Sequence, residues 1–228
     1  NFTIEKSDLY SRNGGIPELI ANIELNNGGC TLGAGTSLKY ILPTLYTTGT
    51  SGKFVSDDKV KALSFVGYGQ YVKNRFTIRA KAVIGQNMTH FNIPGGYGIK
   101  SLDKATGALT YTPYNSFTSY INMVYGKKYQ IGFFGGYMKN QGTVDALYNF
   151  GTSPAPSAIT PGLLPNIASM YRIAPHFALN ISKLRFICEY EMTNAKYGIG
   201  NIDLSDGLYA SHTNATNNRI LLVLMYSF

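Results

Sequence analysis

Apolar and polar side chains alternate along most of this chain with a period of two, which is the spacing of a strand's two faces. The cleanest run lies at 76–85. Phe76, Ile78, Ala80, Ala82 and Ile84 share one face there, and Thr77, Arg79, Lys81, Val83 and Gly85 share the other. The last ten residues repeat the pattern, with Ile220, Leu222, Leu224, Tyr226 and Phe228 opposite Arg219, Leu221, Val223, Met225 and Ser227. The alternation predicts nine strands, the first over 16–25 and the last over 219–228. Residues 1–6 offer a short tenth, in which Phe2 and Ile4 oppose Thr3 and Glu5.

The charged residues choose one face throughout. Glu18, Glu24, Lys39, Arg79, Lys81, Arg172, Arg185, Glu189, Glu191 and Arg219 all fall between the apolar positions, never on them. Two environments suit such strands: a soluble sheet that buries its apolar face, or a lipid-facing wall. The connections separate the two. Short turns at Asn26-Asn27-Gly28-Gly29, Lys73-Asn74, Gly126-Lys127-Lys128 and Ser182-Lys183 alternate with long polar connections over 43–59, 87–116, 139–165 and 193–217. Short turns at one end and long loops at the other are the asymmetry of transmembrane β-barrels. Within 87–116, the segments 98–102 and 108–112 flank Asp103-Lys104-Ala105-Thr106-Gly107 and predict a small hairpin of their own. Asn92-Ile93-Pro94-Gly95-Gly96 and Ser153-Pro154-Ala155-Pro156 read as irregular loop. Tyr71, Phe76, Tyr125, Tyr129, Tyr226 and Phe228 gather beside the short turns, where an interfacial belt belongs.

Composition narrows the class. Charged residues are 14% of the 228, against about 25% in soluble globular chains. No stretch approaches the roughly 20 consecutive apolar residues of a spanning helix. Twenty-five glycines and 18 tyrosines suit strands. The net charge of +8 is dispersed, without the basic runs and interleaved aromatics of a nucleic-acid surface, so no nucleic-acid partner is expected. Cys30 and Cys188 lie on strands far apart in the chain and are expected to be free thiols.

The terminal Tyr226-Ser227-Phe228, preceded by apolar residues at every second place, resembles the closing strand of bacterial outer-membrane barrels. With the loop asymmetry, the stretch from Ile16 to Phe228 looks like a bacterial outer-membrane porin. The resemblance implies an all-β, antiparallel transmembrane barrel with nine or ten strands in this chain. They would form either a small closed barrel or part of a 16-stranded one, as a single domain over 1–228. It implies an outer-membrane location among phospholipid and lipopolysaccharide, a water-filled channel for small hydrophilic solutes, a homotrimer and no cofactor. Under it the ten charged residues named above line the pore, where mixed rings set a charge preference.

Some barrels of this class are enzymes or adhesins. His176 is predicted on the polar face with Glu189 and Glu191 on the next strand, the parts of a general base and its orienting carboxylate. Asp203, Asp206 and His212 could form an Asp/His pair at the barrel mouth, as in ten-stranded outer-membrane proteases. His90 is alone in a loop and reads as solvated. No spacing of His, Cys and carboxylates suits a metal, and pore-lining polar residues with no catalytic role are the simpler reading.

Overall fold

The computed structural model describes residues 4–91, 93–151, 156–164 and 166–228. The expected irregular segment at 153–156 lies mostly outside them, as do Phe2 and Thr3 of the expected short strand. The rest of that strand is a helix, α1 (Ile4–Gly14). Gly15 ends it with a φ of +65°, the left-handed cap that glycine adopts without strain.

Twelve strands follow: β1 (Leu19–Asn27), β2 (Cys30–Ile41), β3 (Tyr46–Gly49), β4 (Gly52–Val55), β5 (Val60–Lys73), β6 (Phe76–Gln86), β7 (Tyr97–Leu102), β8 (Leu109–Gly126), β9 (Tyr129–Thr143), β10 (Ile167–Ile181), β11 (Leu184–Ile202) and β12 (Tyr209–Tyr226). Nine of them make one antiparallel sheet in the order β1-β2-β5-β6-β8-β9-β10-β11-β12. β7 pairs with β8 off this path, and β3 and β4 form a separate hairpin. Among the described residues β1 and β12 each have a single neighbour, so the sheet has two open edges. No helix of the described residues is long and apolar enough to cross a membrane.

All four short turns form where the sequence predicts them. At the first, Gly28 and Gly29 both take positive φ, as a two-residue hairpin of this twist requires. A Cβ on Gly29 would come within 2.4 Å of the Val72 carbonyl oxygen, so β5 also needs the glycine. The strands, by contrast, are longer than the hydrophobic pattern. Much of 193–217 continues β11 and β12 as paired strand, and only a tight turn over 203–208 interrupts it. Polar residues end an apolar pattern, but they do not end backbone pairing. The predicted small hairpin is present as β7 and β8, joined by the Asp103 turn.

Register decides whether the two faces are real. Side chains of directly paired residues point to the same face. Leu25 pairs with Leu32, Leu32 with Gly69, Gly69 with Ala80 and Ala80 with Ile121. Ile121 pairs with Gly135, and Gly135 with Ile173. Ile173 meets Met192 on β11, whose Phe186 and Tyr190 pair with Leu224 and Ile220. Every predicted apolar face therefore joins the next without a slip.

That apolar face is open. Ile23, Ile131 and Leu222 are 68%, 63% and 62% exposed. On β5 Leu63 and Phe65 of the apolar face are exposed, while Ser64, Val66 and Tyr68 of the polar face are half-buried. A water-soluble sheet arranges these the other way. At the edge strands both faces are exposed, so Ile20 and Leu221 of the polar face are also uncovered.

Most of the buried apolar side chains lie at the long-loop end. Ile41, Val60 and Tyr97 pack there with Tyr10 and Tyr111. The long connections interlock around them. The Tyr148 amide donates to the Ile99 carbonyl at 2.8 Å, the Thr143 amide to Asp206 at 2.7 Å, and the Tyr114 hydroxyl to Gly207 at 2.9 Å.

Candidate functional site

Two rows of aromatic residues border the exposed apolar face. Beside the short turns stand Tyr71, Phe76, Tyr125, Tyr129 and Tyr226, with Phe76 paired to Tyr125 and Tyr129 stacked on Phe177. Toward the loops stand Phe117, Tyr137 and Tyr171; Phe117 lies 6.4 Å from Tyr137, which pairs with Tyr171. This second row was not legible beforehand, because Phe117 and Tyr171 sit at the margins of segments that read as loop. Phe117 and Tyr125 are eight residues apart on β8, as are Tyr129 and Tyr137 on β9. Eight residues at about 3.4 Å span about 27 Å of strand, or about 21 Å of height at a 40° tilt. An apolar band of about 25 Å is what a transmembrane barrel presents to lipid. Between the rows no outward position of the described residues is charged.

The polar face holds the predicted charges in three groups. The first spans β10 to β12. The Arg219 guanidinium donates to Glu191 Oε2 at 2.8 Å, and Arg172 approaches the same oxygen at 3.4 Å. Glu189 lies 3.9 Å from Arg219, and Arg172 also donates to the Thr193 hydroxyl at 2.9 Å. Glu191 is only 8% exposed, so it is held by two arginines rather than by water. Nearby, Arg185 donates to Gln130 at 3.3 Å.

The second group lies on β1 to β6. Glu24 accepts from the Tyr68 hydroxyl at 2.9 Å, and Asn22 donates to that hydroxyl at 3.0 Å. Tyr68 lies flat across Gly33, whose added Cβ would come within 2.1 Å of the ring. Arg79 donates to Gln70. Lys81 is exposed and forms no ion pair among the described residues.

The third group departs from the expected solvent-facing role. Lys39 is 5% exposed, and its ammonium donates to the Asn87 carbonyl at 2.9 Å and meets His90 Nδ1 at 2.7 Å. Glu18 lies 3.5 Å from His90 Nε2. His90 is thus enclosed rather than solvated. Burial, reinforced by the Lys39 charge, pushes its pKa down, and Glu18 opposes the shift. These residues pin the connection that leaves β6. Asn87 turns it with a φ of +44°, and a 3-10 turn over Met88–Phe91 follows. Met88 is fully buried beside Gly85, and the Ser116 hydroxyl donates to the Pro94 carbonyl. Gly85, Ser116 and Lys39 all belong to the polar face, so this loop folds over it. A cavity of about 490 Å³ remains between the loop and the sheet, lined by Phe91, Ile93, Lys81, Val83, Val66 and Tyr120, among others.

The candidate catalytic groups are not assembled. His176 pairs in register with Glu189, but it packs on Gly132 and its buried Nδ1 has no hydrogen-bond partner among the described residues. The Asp203 carboxylate closes its own turn by accepting from Ser205, which holds its pKa below the usual range. Asp206 accepts from the Leu208 amide, and His212 lies along the β11–β12 ladder opposite Gly198. Among the described residues no cluster of three or more His, Cys, Asp or Glu could hold a metal. Cys30 and Cys188 are free thiols.

No family model matches this chain, and neither any curated protein nor any solved structure matches it.

Proposed function

We propose that this sheet is part of the wall of an outer-membrane porin, with its apolar face in lipid and its polar face lining a water-filled channel for small hydrophilic solutes. One observation carries the reading: a continuous, charge-free apolar face left exposed on a nine-stranded sheet and bordered by two aromatic rows at about bilayer spacing. In water such a face would drive aggregation; in hydrocarbon it costs nothing. The inward fold of 87–91 and 93–96 supports a narrowed channel, because it brings Phe91 and Ile93 over the polar face. Among the described residues Arg79 and Lys81 have no carboxylate partners, whereas Arg172 and Arg219 are neutralised by Glu191 and Glu189. Arg79, Lys81 and Arg185 outnumber Glu24, the one acidic residue named on this face whose described partners include no cation, so the balance of unpaired charge is positive, which favours anions.

A pore needs a closed wall, so the reading requires that the free edges of β12 and β1 be joined, either to each other or through further strands. A wall of 16 strands is one such closure. Homotrimer formation and contact with lipopolysaccharide follow from the porin resemblance alone. No catalytic residue is assigned.

The test is conductance. The full-length protein in planar lipid bilayers is expected to give discrete steps, with a reversal potential in a salt gradient that favours the anion. Membranes that contain the folded protein but stay at background conductance refute the proposal.

A further inference from the structure

We propose that the cavity between the sheet and the loop residues Phe91 and Ile93 is a binding subsite for amphipathic organic anions, solutes that join a carboxylate to an aromatic or branched apolar body. The inference rests on the pore reading for how such a solute arrives, though binding is measured independently of it.

The lining is mostly apolar. Val66 and Val83 form its floor on β5 and β6, Phe91 and Ile93 its roof on the loop, and Tyr120 one wall. Of its fifteen lining residues only Lys81 is charged, and no carboxylate is among them. Lys81 stands between two tyrosines, paired in register with Tyr68 on one side and Tyr120 on the other. The Tyr68 hydroxyl is already committed to Glu24 and Asn22. Lys81 thus lines the cavity with no carboxylate partner among the described residues. Glu24 lies three strands away across the sheet, about 14 Å at the usual strand spacing. A simple hydrated anion would satisfy the ammonium but would leave the apolar walls wet. A neutral apolar solute would cover the walls and leave the charge unmatched. An anion with an apolar body satisfies both.

The roof is preformed. Phe91 lies against His90 with ring centres 3.8 Å apart and planes tilted by 40°, and His90 is fixed by Lys39. The aromatic contact thus needs little ordering when a solute binds.

Calorimetric titration of the full-length protein in lipid nanodiscs tests this with 3-phenylpropionate, 3-phenylpropanol and acetate as probes. Phenylpropionate is expected to saturate, and phenylpropanol to bind about tenfold more weakly for want of the charge-assisted contact. Acetate is expected to show no saturation. Lys81→Gln should lower phenylpropionate affinity to that of the alcohol, while Lys81→Arg should keep the preference. Phe91→Ala should weaken both aromatic probes by about fivefold. Because Lys81 is exposed and unpaired, its replacement leaves the fold intact, which circular dichroism verifies. Unchanged phenylpropionate affinity in Lys81→Gln, or equal affinity for acetate and phenylpropionate, overturns the subsite. A protein that conducts without this selectivity refutes the subsite and spares the pore. One that binds but never conducts does the reverse.

Discussion

Moving one charge through the wall tests the assignment of the two faces. Ala80 and Lys81 are adjacent on β6, Ala80 on the apolar face and Lys81 on the polar one. The double change Ala80→Lys with Lys81→Ala keeps the composition and shifts the ammonium from one side of the sheet to the other. Ala80 is exposed beside Gly69 and Ile121, so the new side chain meets no steric obstacle. It lies four residues from Phe76 in the aromatic row beside the turns. That distance is about 14 Å of strand, or about 10 Å of depth at a 40° tilt, close to the middle of a 25 Å band. A lysine at the midplane costs about 2–4 kcal/mol. Lys81→Ala alone removes an unpaired, solvated charge and should change stability by no more than about 0.5 kcal/mol. The swap should therefore cost about 2–4 kcal/mol in reversible unfolding from phospholipid vesicles. With no tryptophan in the chain, tyrosine fluorescence or circular dichroism follows the transition. A swap within about 0.5 kcal/mol of the unaltered protein would mean that water bathes both faces, and the lipid assignment would fail.

Three further outcomes follow from the polar face. Glu191→Gln leaves Arg172 and Arg219 facing each other, and about 1–2 kcal/mol should be lost because the arginines are half-exposed; denaturant unfolding measures it, and a neutral result would mean that water already screens the group. Gly132→Ala would set a Cβ within 2.2 Å of the His176 ring, so about 1–3 kcal/mol should be lost and His176→Ala in the same background should recover part of it, as a double-mutant cycle reads. The 87–91 turn should loosen in acid. Burial and Lys39 hold the His90 pKa below its ordinary 6.5, so the neutral form is favoured in the fold. Stability of the turn is full above that value and falls as pH drops toward the lowered one, because protonation costs the Lys39 contact; Glu18 offsets part of the loss. Protection factors at Met88 to Phe91, taken relative to the intrinsic exchange rate at each pH, should fall between pH 7 and 5, and His90→Gln should abolish that fall.

The sequence by itself determined the two faces. A period of two is a local property of extended chain, and each strand announced its own apolar side without reference to its neighbours. The four short turns were equally local, set by residues such as Gly28 and Gly29 that accept positive φ. What depends on distant partners was not legible. Lys39 alternates correctly with its neighbours, yet it is buried because a loop 48 residues away folds over it. Glu18 and His90 joined the same cluster for the same reason. Glu191 became the centre of an ion network only when register set Arg172 and Arg219 on either side of it. The long strand extensions, the second aromatic row and the helix at Ile4–Gly14 were likewise set by pairing and packing between segments. Alternation states which way a side chain points, and only the assembled sheet decides what it meets there.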